Sequence, residues 1–155
     1  MARIIADGEV KINWVTTIAN TSAPTTTEIG AGTELTPWLS SLSTPLEGDA
    51  VDSSDLSSAF NKSVAGTYGG GATATLYRDD TTDTAYDLFP RNTTGYLVIR
   101  RFGGSDVAWA SADDAEVWNL RVITRSPSDM DRNNVQMFTV DFATLDEPVL
   151  DAVVA

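Results

Sequence analysis

The sequence predicts a mostly β fold, a sandwich or barrel of roughly seven strands with one flanking α-helix and a long loop. Three observations lead there. Short stretches of alternating or β-branched apolar residues recur, as in Glu9–Val15, Ala72–Arg78, Gly95–Phe102, Glu116–Arg125 and Val135–Ala143. Gly, Asp, Asn, Ser and Pro punctuate the gaps between them. Only Thr82–Phe89 spaces its apolar residues as a helix would. The 155 residues suit one domain, 1–155, with a hydrophobic core of its own.

Taken in order, Glu9–Val15 alternates, with Val10, Ile12 and Trp14 on one face and Glu9, Lys11 and Asn13 on the other, as in a half-buried strand. Thr25 and Glu28 have capping-box spacing, but Gly30 and Gly32 follow too soon for more than one helical turn. Glu34–Leu39 is a short strand weakened by Pro37. From Ser40 to Gly71 apolar residues become sparse, and the segment (about 40–71) reads as a long arm that orders against something else, with room for a short strand inside it. Leu46, Val51, Leu56 and Phe60 are its apolar residues without an evident local partner, and are the candidate docking residues.

Ala72–Arg78 is a strand. Asp79–Thr82 supplies N-cap chemistry for the helix, which Pro90 ends. Gly95–Phe102 and Glu116–Arg125 are strong strands, with a turn at Gly103–Asp106 leading into a short strand at Val107–Ala110. Val135–Ala143 is the last, and a C-terminal arm runs over about 144–155. Gly95–Phe102 and Val135–Ala143 are apolar on both faces, where a sheet with one solvated face is polar on one side. Either the helix covers the second face or a neighbouring subunit does.

Composition excludes whole classes of chemistry. With no Cys and no His, disulfides, thiolate metal sites and Ser-His or Cys-His catalysis are absent. The net charge of −12, with Lys11 and Lys62 the only lysines, opposes tight binding to phosphate backbones or anionic lipid. No apolar run approaches a membrane span, and no signal-peptide pattern opens the chain, so synthesis in the cytosol is expected. The sequons at Asn20, Asn61 and Asn92 are then chance matches.

The remaining constellations have ordinary explanations. Asp129–Asn134 opens like a calcium loop, but Asn134 stands where the loop needs Gly and Val140 where it needs a bidentate Glu. Asp79, Asp80, Asp83 and Asp87 suit helix capping better than a carboxylate pair for glycoside hydrolysis. Gly69–Gly71 lacks the Lys-Ser/Thr of a phosphate loop, and frees a strand entry or lets another backbone approach. Trp14 and Trp118 read as core; Trp38 and Trp109 suit core or interface burial.

Several stretches resemble the major tail protein, or tail-tube subunit, of long-tailed non-contractile bacteriophages. They are MARIIADGEVKINWV, LEGDAVDSSDLSSAFNKSVAGTYGG, YRDDTTDTAYDLFPRNTTGYLVIRRFGG and VWNLRVITRSP, in family order over most of the chain. The resemblance implies a tail-tube-type β-sandwich with a flanking helix, made in the host cytoplasm and housed in the virion tail. It implies hexameric rings that stack into a hollow tube through which viral DNA passes without specific binding. Partners would be further copies of the chain and other tail proteins, such as the tape measure, tail terminator and baseplate. The long loop and the terminal arms would bridge ring to ring, making Leu46, Val51, Leu56 and Phe60 the candidate stacking residues. No catalytic role, cofactor, metal or membrane is implied. Competing readings are a capsid decoration or tail-completion protein, a carbohydrate-binding module using tryptophans, and a carboxylate-based hydrolase. The module lacks an export signal and the hydrolase an isolated carboxylate pair.

Overall fold

The computed structural model describes residues 2–155. Nine strands and two short helices follow one another as β1 (Lys11–Val15), α1 (Thr26–Gly30), β2 (Thr33–Glu34), β3 (Leu39–Ser43), β4 (Leu46–Asp52), β5 (Ser63–Tyr77), α2 (Thr84–Asp87), β6 (Thr94–Arg100), β7 (Asp114–Pro127), β8 (Met137–Thr144) and β9 (Val149–Val153). All pairings are antiparallel, in the order β2-β1-β6-β7-β8-β5-β3, with β4 on β5 and β9 on β7.

The two ends of that order, β2 and β3, belong to one stretch of chain. Leu35 N–H donates to Ile12 O at 2.8 Å, and the Thr36 hydroxyl accepts from Ile12 N at 3.0 Å. Past Pro37, Tyr77 N–H donates to Trp38 O at 2.7 Å, and Leu39 stands opposite Leu76. Thr33–Ser43 therefore joins β1 to β5 and rolls the sheet into a barrel. The proline interrupts pairing where the segment changes partners, which is why the expected strand Glu34–Leu39 appears as two.

The barrel interior takes the inward residues of each strand: Ile12, Trp14, Ala72, Ala74, Leu76, Leu97, Ile99, Trp118, Leu120, Val122, Phe138, Val140 and Phe142. Helix α2 plugs this space with Ala85 and the following Phe89. Phe89 meets Trp14 edge-on at 5.1 Å and Phe142 at 5.5 Å between ring centroids.

A second core lies outside β1, β6 and β7, where Val15, Val98, Ala115 and Val117 pack with Ile18, Ile29, Ala152 and Val154. This corrects two expectations. The second apolar face of β6 is covered at Val98 and Tyr96 by α1 and the C-terminal strand, not by the helix near residues 82–89, while Phe102 at its end is 63% exposed. The C-terminal arm is likewise strand β9: it alternates Ala152 and Val154 onto the buried face, and Val153 N–H and Ala155 N–H donate to Ser22 O and Pro24 O.

Strand β1 is buried on both faces, where a half-buried strand was expected. Lys11 is covered because its ammonium reaches Ser105 O at 3.2 Å and Glu34 at 3.3 Å. Asn13 bridges Ile29 O and the Trp109 indole N–H. Val107–Ala110 is not a strand. Its carbonyls turn inward to the buried Arg100 guanidinium, which donates to Gly104 O, Val107 O, Ala108 O and Asp113 Oδ2. Helix α1 is the single turn expected, closed by a reciprocal capping box between Thr25 and Glu28.

Candidate assembly surface

The arm expected over 40–71 is ordered within the chain as strands β3 and β4 and the first half of β5. Leu46–Asp52 pairs with Ser63–Gly70 as a hairpin, with a bulge between Gly48 and Ala50. Beyond Gly70, β5 changes partners: Gly71 onward pairs with β8, and Thr73 onward with β3. One continuous strand thus serves the barrel with one half and the hairpin with the other. Sparse apolar residues do not prevent this, because cross-strand backbone hydrogen bonds need no buried face.

The base of the hairpin is fixed to the body. The Thr144 hydroxyl donates to Gly70 O at 3.0 Å, and the Tyr68 hydroxyl donates to Glu147. That hydrogen bond to Glu147 raises the Tyr68 phenol above its ordinary pKa. Gly70 is required where it stands, since a Cβ there would lie 2.5 Å from Pro45 O. At the tip, Ser53 N–H donates to Lys62 O, and the Ser54 hydroxyl accepts from Lys62 N. Ser54 and Ser57 hold the Asp52 and Asp55 carboxyls below the usual range.

Among the described residues, the hairpin leaves much of its apolar surface exposed, most of all at the tip. Leu56 is fully exposed, Phe60 is 76% exposed and Val51 is 52% exposed. Leu46 sits at the base, Val51 pairs with Val64 across the hairpin, and Leu56 and Phe60 lie in the tip loop. The structure therefore spreads the four candidate residues along one projecting element without forming a cluster. Val64 and Tyr68 are exposed on it as well; the pairing register that adds them cannot be read from composition. A two-stranded ribbon without a covered face is marginal alone and gains from a partner surface.

The other constellations resolve into structure. Asp83 stands at the N-cap of α2 but makes no side-chain cap bond, because its carboxylate binds Arg78 at 2.5 Å. Asp79 accepts from Thr81 N–H in a turn. Capping of the helix by this acidic run is thus corrected: a neighbouring guanidinium outcompetes the helix N–H groups. Among the described residues no group of three His, Cys, Asp or Glu is placed to hold a metal. Trp14 and Trp118 are barrel core, while Trp38 and Trp109 pack against the two cores, so they form no joint exposed platform. The groove between the N-terminal turn and β3, about 320 Å³, is lined by Val10, Ile12, Leu39 and Leu42 and gathers no reactive set. No helix among the described residues is long and apolar enough to cross a membrane.

Comparison with known proteins places this architecture. A family model described as phage tail tube protein matches residues 1–155. No curated protein matches the chain in sequence. Among solved structures, the sheath/tube terminator of an extracellular contractile injection system (PVC) aligns with a TM-score of 0.67 at 10% identity, over 98% of this chain and 99% of that one. The SPP1 tail tube aligns with a TM-score of 0.65 at 10% identity, over 99% and 81%. The tail of an empty gene transfer agent particle, solved with C6 symmetry, aligns with a TM-score of 0.58 at 13% identity, over 97% and 100%. At such identities the likeness is one of fold.

Proposed function

Because the chain belongs to the phage tail tube protein family and is a structural subunit of the virion tail tube, we propose that it works by self-assembly into six-membered rings that stack through the hairpin Leu46–Gly70, and not by catalysis. The observation that carries this reading is the hairpin, an ordered element that leaves the barrel with Leu46, Val51, Leu56 and Phe60 uncovered. The C6 symmetry of a tail sharing this fold supports the ring number. Terminator, sheath–tube and baseplate structures among the fold neighbours support terminator and baseplate proteins as further partners. The net charge of −12 supports a lumen past which DNA slides without adhering.

The test uses Leu56→Ser combined with Phe60→Ser. Both side chains are exposed, so the melting temperature should stay within a degree or two of the parent. Sedimentation and negative-stain microscopy should show tubes from the parent and unstacked rings or monomers from the variant. Normal tubes from the variant would remove the tip from the stacking contact. A parent that stays monomeric at high concentration, even when seeded with tail fragments, would overturn ring assembly itself.

A further inference from the structure

We propose that Arg91, Arg121 and Ile123 form a receiving patch for the acidic hairpin of a second copy of this chain. The inference rests on the reading of the hairpin as the assembly element and names the surface it meets.

The chain has ten cationic side chains against twenty-two carboxylates, so an arginine without a carboxylate partner stands out. Lys11, Lys62, Arg78, Arg100 and Arg101 each make an ion pair. Arg125 is stacked on Tyr86. Arg3, Arg91, Arg121 and Arg132, all exposed, make no ion pair among the described residues; Arg3 lies in the N-terminal segment and Arg132 in the loop before β8, whereas Arg91 and Arg121 both lie at β7. The fold brings them together. Asn92 N–H donates to Val122 O and Val122 N–H to Thr93 O, which fastens residues 91–93 alongside β7. Arg91 Nε then donates to Ile123 O at 3.2 Å, two residues along from Arg121. Ile123, two residues after Arg121 and bonded through its carbonyl to Arg91, is 44% exposed. The result is an exposed apolar residue on β7 with two arginines nearby that make no ion pair.

The hairpin carries the complement. Its residues Glu47, Asp49, Asp52 and Asp55 oppose one cation, Lys62, for a net −3. In β4, exposed Val51 lies between Asp49 and Asp52. Glu47 and Asp49 make no ion pair among the described residues, whereas Glu34, Asp83, Asp113 and Glu116 are each engaged by a cation of their own chain. Opposite charge around matching apolar centres favours this pairing. Within one chain β4 pairs only with β5, and β8 stands between β5 and β7, so the hairpin's complement lies on another copy.

The two surfaces differ, so the contact is heterologous. It propagates from copy to copy instead of closing as a two-fold dimer, as a ring or tube requires. Each copy also carries −12. At about 0.1 M salt the screening length is ~10 Å, which damps the global repulsion while leaving charges at contact attracted.

The experiment reverses charge on the full-length chain. Arg91→Glu with Arg121→Glu should raise the concentration needed for assembly at 0.1 M salt by about tenfold or more, because like charges then face each other. Glu47→Arg with Asp49→Arg should do the same. All four substitutions in one chain should restore assembly. Arg121→Glu alone, which leaves the Arg91 bond to Ile123 intact, should give a smaller shift in the same direction if the double variant melts early. Unchanged assembly after reversal of either surface would overturn the proposal, as would happen if the arginines served DNA. Two reversals that each block assembly, without restoration when combined, would exclude the hairpin as the occupant. In both cases tubes from the parent would leave the tail-tube reading standing; a parent that never assembles would overturn the two together.

Discussion

Arg125 lies on the ring of Tyr86, its guanidinium carbon 3.8 Å from the ring centroid, while its Nη1 donates to the Tyr86 carbonyl at 2.8 Å. Arg78 lies 3.7 Å from the same centroid, and two guanidinium groups that close must take opposite faces. Tyr86 in turn meets Phe138 edge-on at 5.2 Å. A one-turn helix, too short to hold itself, is thus clamped over the end of the barrel. Arg125→Ala removes a partly buried cation–π contact and a charged hydrogen bond, and should lower stability by about 1–3 kcal/mol. Urea unfolding measures it, with Arg125→Lys recovering little because ammonium does not stack flat.

Arg100 organises the loop after β6. Its side chain is 5% exposed and joined to Asp113 at 2.9 Å. Arg100→Ala would leave three inward carbonyls and a carboxylate without their donor, and should cost about 3–5 kcal/mol. Hydrogen exchange should localise the loosening to residues 103–113, with Trp109 fluorescence reporting water entry. Unchanged protection there would show that the loop holds without the guanidinium.

Val154 belongs to the second core and is almost fully buried. Val154→Asp should cost about 3 kcal/mol or more, since the carboxylate would lie against Val98 and Val117 without a partner. Were the C-terminal residues a free arm, the substitution would leave the melting temperature unchanged.

Glu28 accepts from Ala19 N–H at 2.7 Å and closes the capping box with Thr25. The Ala19 bond, then those from Thr25, holds its carboxyl below the ordinary value. A depressed folded pKa gives stability that is complete above the unfolded value of about 4.3 and is lost as pH falls through the folded one. Glu28→Gln should therefore lower stability at neutral pH, where the carboxylate's contribution is complete, and flatten the acid limb, so that the two proteins converge as pH falls below that value. An identical acid limb in both proteins would show that Glu28 plays no part in it.

Much was legible in the sequence because strand periodicity is local. The inward sets of β6 and β8, Leu97 with Ile99 and Phe138 with Val140 and Phe142, follow from alternation alone, as does the one-turn limit on α1 set by Gly30. The family resemblance likewise rests on the order of such local patterns. The candidate site was legible only in part: the uncovered apolar side chains could be named, but their place on a hairpin could not. Which strand pairs with which is decided by contacts between residues far apart in the chain, and one sequence carries little trace of them. Leu35 on Ile12 and Trp38 on Tyr77 close the barrel, Val154 roofs Val98, and Arg100 draws residues 104–108 inward. The sequence by itself determined the class of fold, the excluded chemistries and the inward faces of its strongest strands, since those depend on composition and on a period of two. Tertiary structure alone decided that the middle arm is a hairpin, that the C-terminal arm is core, and that residues 91–93 run alongside Val122 and Ile123 of β7, because only folding brings distant backbone within contact range.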